Sequence, residues 1–398
     1  MKKITVVGGG FSGMTLAHEL AKRGFQVDLY EKSSRLGGLI HTQKTHHGLV
    51  ETAANALIWT RSIEQLCNEI DVKLVKALQS ASKRYFFRGK PTAWPLTITE
   101  SLLFFSRLIF SLLSGKLFSK IPAEQSVFDW SQKHLGLAST NNILAPGLQG
   151  IYAGDVQKLS ASLILSPLLQ KKRTRYRGSV SGAHGMQDIV DALEKKLKAK
   201  GVRIYLNSAF HWNESQPIVL ATSVTAAAEL LAPHHSKLAE LLRQIEVAPL
   251  ISVTAFWKKS NGYPGFGCLI PRSEGLHTLG VLMNTYIFPN RGQNYSETYI
   301  LGGATDAKIM QLSDSEIQNL IVSERAKIFK GKNEILSLHI TRWSQALPHY
   351  TVQLEKMLPL IELPKNVYLH GNYLGSIGLS KILDRSIALA ESIEKIHV

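Results

Sequence analysis

The first thirty positions switch between two hydrophobic periods. Ile4 to Val7 reads as a buried strand within Lys3 to Val7, a glycine turn follows, and apolar residues then recur at helical spacing from Met14 to Lys22. After Gly24 a second strand runs from Gln26 to Tyr30. Strand, turn, helix and strand in that order are the unit of a parallel sheet covered by helices. Residues 51–87 mix both periods. From Thr97 to about Ser166 strand signals vanish and helical spacing takes over, with Pro95, Pro122, Pro146 and Pro167 as punctuation, which predicts a helical insertion. A helix from Gln187 to Ala199 leads into a strand from Val202 to Leu206, and Ile218 to Thr222 is another short strand. Residues 247–306 read as β-rich, with turns at Asn261-Gly262 and Pro264-Gly265. Strand Val367 to Leu369, a glycine-containing turn and a helix from Lys381 to Glu394 close the pattern, which contains no internal repeat.

Composition narrows the class. A chain of 398 residues that is 44% hydrophobic and 19% charged, with 30 Gly and 14 Pro, is an ordinary globular protein of two or three domains, neither disordered nor collagen-like. Cys67 and Cys268 fit no metal spacing, so a reducing compartment is expected and no disulfide framework. With a strand this early, no targeting segment is expected and the protein should be cytoplasmic. The net charge of +16 suits an anionic partner: a membrane surface, a nucleic acid or an acidic substrate. The longest apolar stretch, Leu102 to Leu113, carries Arg107 and two serines and falls short of the roughly 20 residues of a spanning helix. It puts Leu102, Phe105, Ile109 and Leu113 near one helical face, with Lys116 and Lys120 beyond. Such a stripe either docks in an anionic bilayer interface or packs against the rest of the insertion. The basic run Lys171-Lys172-Arg173-Thr174-Arg175-Tyr176-Arg177 has one aromatic and no nucleic-acid motif, so a solvated or phospholipid-facing loop is expected and no nucleic-acid partner.

Gly8-Gly9-Gly10-Phe11-Ser12-Gly13 satisfies G-x-G-x-x-G between a strand and a helix, and Glu31 ends the next strand. Gly8 makes the tight turn, Gly10 lets backbone approach a pyrophosphate, and Gly13 allows close packing of helix and strand. The helix N-terminus, with Phe11 and Ser12, then offers free amides to phosphate, and Glu31 can accept hydrogen bonds from a ribose. A second glycine pair follows in Lys32-Ser33-Ser34-Arg35-Leu36-Gly37-Gly38. No catalytic triad or metal cluster is evident, and His46-His47 and His234-His235 read as surface histidines, each pair lacking a third ligand.

The E-x-x-x-R-x-G-G segment after a dinucleotide turn resembles the flavoprotein group of amine oxidases, phytoene desaturases and protoporphyrinogen oxidases. Gly371-Asn372-Tyr373-Leu374-Gly375 before a helix resembles that group's C-terminal return to the flavin. Four further segments resemble protoporphyrinogen oxidases in particular. They are Gly150-Ile151-Tyr152-Ala153-Gly154-Asp155 with Lys158-Leu159-Ser160; Gly265 to Pro271 with Leu279-Gly280 and Phe288-Pro289; Trp343 with Ala346-Leu347-Pro348-His349-Tyr350; and Gly185-Met186-Gln187. The resemblance implies an α/β fold: a Rossmann-like FAD-binding domain (residues 1–55, 178–246 and 345–398), a β-rich substrate domain (56–92 and 247–344) and a helical membrane-associating domain (93–177). It implies non-covalent FAD held by Gly8, Gly10, Phe11, Ser12, Gly13, Glu31, Lys32, Arg35, Gly37, Gly38, Trp343, Gly371, Asn372 and Gly378. Arg84 takes the place of an arginine that pairs with a substrate propionate, Gly150 of a glycine facing the pyrroles, and Leu269, Leu282 and Ile300 of apolar positions against a tetrapyrrole.

The implied reaction is removal of hydrogens from protoporphyrinogen IX, with dioxygen as acceptor, by an enzyme seated peripherally on an anionic membrane. Positioning dominates such a reaction, and no residue needs to act as acid or base. A homodimer is compatible with this reading. Coproporphyrinogen III, with two more carboxylates, is an alternative substrate, and a membrane-surface tetrapyrrole carrier with impaired oxidase activity is a third reading. That third reading arises from departures: Ala53 and Ala54 stand where the family has E-x-G-P, and Ser376, Ile382 and Arg385 replace residues usually Gly, Cys and Gly. The expectation is that Ser376 and Arg385 narrow the space beside the flavin.

Overall fold

The computed structural model describes residues 2–115, 121–169, 176–212, 216–330 and 333–397. A five-stranded parallel sheet carries strands in the order Arg203–Tyr205, Gln26–Tyr30, Lys3–Val7, Ile218–Leu220, Val367–Leu369. Alternation along these strands feeds two cores. Ile4, Val6 and Val219 face helices Phe11–Lys22, Gln187–Ala199 and Leu379–His397, whereas Val7, Ile218 and Leu220 face helices Val224–Leu231 and Ser236–Arg243.

A second sheet of seven strands orders Ile335–Pro348, Val247–Trp257, Tyr295–Gly302, Thr278–Leu282, Gly267–Leu269, Arg84–Phe87 and Pro91–Thr92. Directly paired residues share a face, as do residues two apart. Val253, Tyr299, Val281 and Cys268 therefore lie on one face, and they form a core with Ile317, Ile321 and Ile328 of helix Asp314–Phe329. The opposite face is half-apolar, mixing Leu250, Leu269, Leu282 and Ile300 with Ser252, Thr254 and Thr298.

Between residues 97 and 169 the described chain is helical: Ile98–Leu113, Val127–Leu135, Leu137–Ser139, a π-turn at Thr140–Leu144, Ala145–Tyr152 and Ala161–Leu169. Pro146 sits in the first turn of its helix, where a missing N–H costs nothing. Pro167 does not end its helix as punctuation would suggest; the helix continues to Leu169. Other boundaries shift modestly. The first helix begins at Phe11 because Gly10 is its N-cap, and the last spans Leu379–His397. The strand at 218 stops at Leu220, after which Ala221 N donates to Val7 O (2.8 Å) as the chain turns away. The strand at 202 narrows to Arg203–Tyr205. Lys116, Lys120 and residues 171–175 of the basic run lie outside the described residues.

Candidate active site

The glycine turn places its atoms as its spacing predicts. Gly8 has φ +105°, a conformation that only glycine adopts without strain, and a Cβ on Gly13 would overlap the Gly8 carbonyl oxygen. Gly10 differs. A Cβ there would meet only Gly38 Cα, at 3.9 Å, so the space in front of it is open. The helix that starts at Phe11 has no side-chain cap and no acid in its first turn, which leaves the amides of Phe11, Ser12 and Gly13 for an anion. Gly37 N donates to Gly9 O (2.8 Å), bringing the second glycine pair against the first. Glu31 Oε2 accepts from Gly9 N (2.7 Å), and its Oε1 accepts from Ser33 N (2.8 Å). Arg35 spends its donors on its own loop: the carbonyls of Leu36 and Ile40 (both 3.0 Å) and Gly38 (2.7 Å). It shapes the glycine loop from within. Lys32 is exposed beside it.

Three motifs far apart in sequence meet on the other side of the crevice. Asp155 N donates to His349 Nε2 (3.1 Å), Ser160 N donates to Tyr350 O (2.8 Å), and the Tyr350 hydroxyl donates to Asn372 O. The helix end at Tyr152, the Ala346-to-Tyr350 motif and the Gly371-to-Gly378 loop thus form one wall. Burial, with the Arg385 guanidinium adding to it, pushes the His370 imidazole down to about 3, so this ring is neutral where its Nε2 meets Ser386 Oγ (2.8 Å).

The half-apolar face of the second sheet collects the remaining candidates. Arg84 pairs with Gly267, Gly267 with Leu282 and Leu282 with Thr298; Leu269 pairs with Gly280 and Gly280 with Ile300. These rows are two residues apart along each strand, so Arg84, Leu269, Leu282 and Ile300 share a face, and Trp343, paired with Leu250, belongs to it too. Helix Ala145–Tyr152 covers part of this face, and a Cβ on Gly150 would come within 2.6 Å of Leu269 Cδ2. Trp343 Nε1 donates to Thr52 O (2.9 Å), which ties the face to the Glu51-to-Ala54 segment. Arg84 is exposed, its guanidinium 5.0 Å from the Phe266 ring centroid, and no carboxylate pairs with it among the described residues.

The pattern of the family described as "Flavin containing amine oxidoreductase" matches residues 11–211 and 214–378. The chain belongs to that family. Among curated relatives, a mitochondrial protoporphyrinogen oxidase of Nicotiana tabacum is 24% identical, over 98% of this chain and 94% of its own. The coproporphyrinogen III oxidase of Bacillus subtilis (strain 168) is also 24% identical, over 97% of each chain. Among solved structures, a protoporphyrinogen oxidase-like protein from Exiguobacterium sp. 255-15 superposes with a TM-score of 0.79 at 19% identity, covering 99% of this chain and 98% of that one. Putrescine oxidase reaches 0.78 at 16% identity, covering 98% of each chain. The resemblance drawn from the motifs is borne out, and the chain is a flavin-family oxidoreductase with this family's α/β fold.

A flavin dinucleotide fits the residues present: the open space before Gly10, the Gly10–Gly38 approach and the uncapped helix make a cradle that side chains would fill. Glycine spacing revealed that cradle, but it missed what supports it. Glu51, in the departing segment, is buried and raised in pKa by that burial. It accepts from Thr42 Oγ1 (2.7 Å), Met186 N (3.0 Å) and Arg291 Nη1 (3.1 Å). Ser252, on the candidate face beside Ile300, has a buried hydroxyl without a partner. Asn284 donates to Thr298 Oγ1 (2.8 Å) and leaves its Oδ1 unpartnered. No sequence signal marks these polar atoms.

Among the described residues, His18, Glu19 and Glu69 gather at metal-ligand distances, but Lys22 Nζ already sits on both carboxylates, at 3.0 Å and 2.9 Å. An ammonium fills that position. Of the paired histidines, His47 meets Asn294 Oδ1 (2.9 Å) and His234 stacks on Trp212, so both pairs serve local packing.

Proposed function

We propose that the protein is an FAD-dependent oxidase of a porphyrinogen, with protoporphyrinogen IX as substrate and dioxygen as the final acceptor, in porphyrin biosynthesis. One observation carries this reading. Arg84, Leu269, Leu282 and Ile300 lie on a single sheet face, with Gly150 over it and Trp343, bonded to Thr52 O, at its far edge. A half-apolar sheet face, with a guanidinium at its margin that pairs with no carboxylate among the described residues, suits a macrocycle bearing carboxylates. When bound, the flavin would accept a hydride from a carbon of the macrocycle. The chain's task is then to hold that carbon in place: Leu269, Leu282 and Ile300 by apolar contact, Arg84 by gripping a propionate, and helix Ala145–Tyr152 by limiting water on the covered side. The diphosphate would rest on the amides of Phe11, Ser12 and Gly13.

Coproporphyrinogen III is the second reading, favoured by the Bacillus relative's equal identity and by the net charge of +16. Mixing enzyme anaerobically with each porphyrinogen decides between them. The substrate that bleaches the flavin absorbance within a turnover is the physiological class, and bleaching by neither would refute the oxidase reading in favour of a carrier.

The proposal includes a membrane seat. Helix Ile98–Leu113 turns Phe104, Leu108 and Ser111 inward and leaves Ile98 (82% exposed), Phe110 (66%) and Leu113 (84%) outside, together with Leu102, Phe105 and Ile109. Trp94 stacks on Phe105 at its edge, as amphipathic rings do at bilayer interfaces. No described helix is long and apolar enough to cross a membrane. An apolar exposed face of this size on a basic protein suits an anionic bilayer surface, and nothing along it suits nucleic acid.

A further inference from the structure

Arg385 stands where the family resemblance expects a glycine. Its side chain is partly buried in the second turn of helix Leu379–His397, and burial lowers its pKa. Among the described residues only one of its five N–H donors has a partner, the Gly371 carbonyl oxygen at 3.3 Å, and no carboxylate pairs with it. The titratable side chains that act on it are Tyr350, Tyr373 and the neutral His370, and the adjacent Asp384 is engaged with Ser62 and Lys381. A guanidinium taken partly out of water with one long hydrogen bond is unfavourable unless something anionic completes it.

The position of Arg385 says what that anion is. The neighbouring Ser386 bonds Thr15 Oγ1 (2.8 Å), one turn into the helix whose N-terminus is the glycine turn. The carbonyl that Arg385 holds belongs to Gly371, whose missing Cβ would stand 3.2 Å from Thr222 O; a Cβ on Gly8 would stand 3.1 Å from Thr222 Cγ2. Gly371, whose carbonyl Arg385 holds, and Gly8 therefore flank Thr222 at the carboxyl ends of the parallel strands, where dinucleotides bind.

We propose that Arg385 is the counter-ion of the cofactor's diphosphate, a charge this chain adds to a cradle otherwise made of backbone amides. The inference rests on the FAD reading above. The planar fork of the side chain presents four unused donors to phosphate oxygens, and bound cofactor compensates a cation that the apoprotein leaves unpaired. Far from obstructing the site, the departure strengthens it.

The test is FAD titration of the apoprotein, followed by flavin fluorescence at two ionic strengths, for wild type, Arg385→Met and Arg385→Lys. Thermal unfolding of the apo forms and the flavin midpoint potential accompany it. Arg385→Met should bind FAD about tenfold or more weakly with a shallower salt dependence, and its apo form should melt no lower than wild type. Arg385→Lys should keep the salt dependence and recover part of the affinity. Affinity within twofold of wild type at both ionic strengths, with or without a loss of apo stability, would overturn the assignment. So would a shifted midpoint potential at unchanged affinity, which would move the contact to the reduced flavin ring. Wild-type protein that takes up no FAD would instead overturn the FAD reading itself.

Discussion

Gly10 and Gly13 offer a paired perturbation whose two halves should behave oppositely. A Cβ on Gly10 meets nothing closer than Gly38 Cα at 3.9 Å, and the residue's φ of −70° and ψ of 178° suit any side chain, so Gly10→Val should leave the apoprotein's melting point near wild type. A Cβ on Gly13 overlaps the Gly8 carbonyl oxygen, a backbone atom that cannot step aside cheaply. Gly13→Ala should therefore cost roughly 1–3 kcal/mol in the apo form. The cofactor brings out the cost of the other half. Wild type held at 100 times its dissociation constant in FAD gains about 2.7 kcal/mol of stability. If the valine's clash with the diphosphate costs about 3 kcal/mol, affinity falls roughly 150-fold and the gain shrinks to about 0.3 kcal/mol. Differential scanning fluorimetry with and without FAD reads both quantities, and flavin released on denaturation gives occupancy. Full flavin in Gly10→Val would refute the crevice assignment. Apo destabilisation of Gly10→Val equal to that of Gly13→Ala would show that the open space is an internal packing site.

Replacing Phe105 and Ile109 together with Glu should move the protein from membrane pellets to the soluble fraction at unchanged flavin content; loss of flavin and fold together would mean that these exposed side chains pack internally after all. Arg84→Ala should lower kcat/KM for the preferred porphyrinogen by one to two orders of magnitude, about 1.5–3 kcal/mol for a charge-assisted pair, with Lys rescuing only part; wild-type kinetics at equal flavin occupancy would return Arg84 to a solvated cation. The Arg88 guanidinium and the capping box hold the Glu100 carboxyl down at about 2. A depressed carboxylate contributes stability that is complete above its unfolded value near 4.5 and drains away as pH falls toward 2. Thermal melts of Glu100→Gln should accordingly fall below wild type at pH 6 and converge with it near pH 2, and equal melts at pH 6 would contradict the pair's contribution.

The geometry of the glycine turn was legible because its determinants are contiguous: six residues from Gly8 to Gly13 set turn, helix start and packing, and Glu31 follows one strand later. The candidate face was not, since it depends on Arg84–Phe87 pairing in parallel with Gly267–Leu269, a register that no local period encodes. Arg84 and Trp343 came into view only through motif resemblance. Glu51 and Arg291 are 240 residues apart and meet in the interior, where neither residue type would be placed from its sequence neighbours. Arg385 was legible as a departure from the family pattern, but the partner of its guanidinium, the Gly371 carbonyl, was not, because that contact depends on how the last helix packs against the loop before it. The apolar stripe left two outcomes open because periodicity reports that a helix has a face and is silent on what covers it.

The strict alternation of the seven-stranded sheet has an evolutionary corollary. Leu250, Ser252, Thr298, Ile300, Leu282 and Leu269 line one side, whereas their immediate neighbours Ile251, Val253, Tyr299, Leu301, Val281 and Cys268 build the core on the other. Two nearly independent alphabets are thus written on the same strands. On the porphyrinogen reading proposed above, substitutions at the half-buried Leu250, Ile300, Leu282 and Leu269 would retune ligand preference at less cost in stability than substitutions in the fully buried second set. A single-residue insertion within a strand would exchange the alphabets and turn the core residues to the opposite face. Lineages of this scaffold should therefore diverge in specificity by substitution at every second position and confine their length changes to the connecting turns.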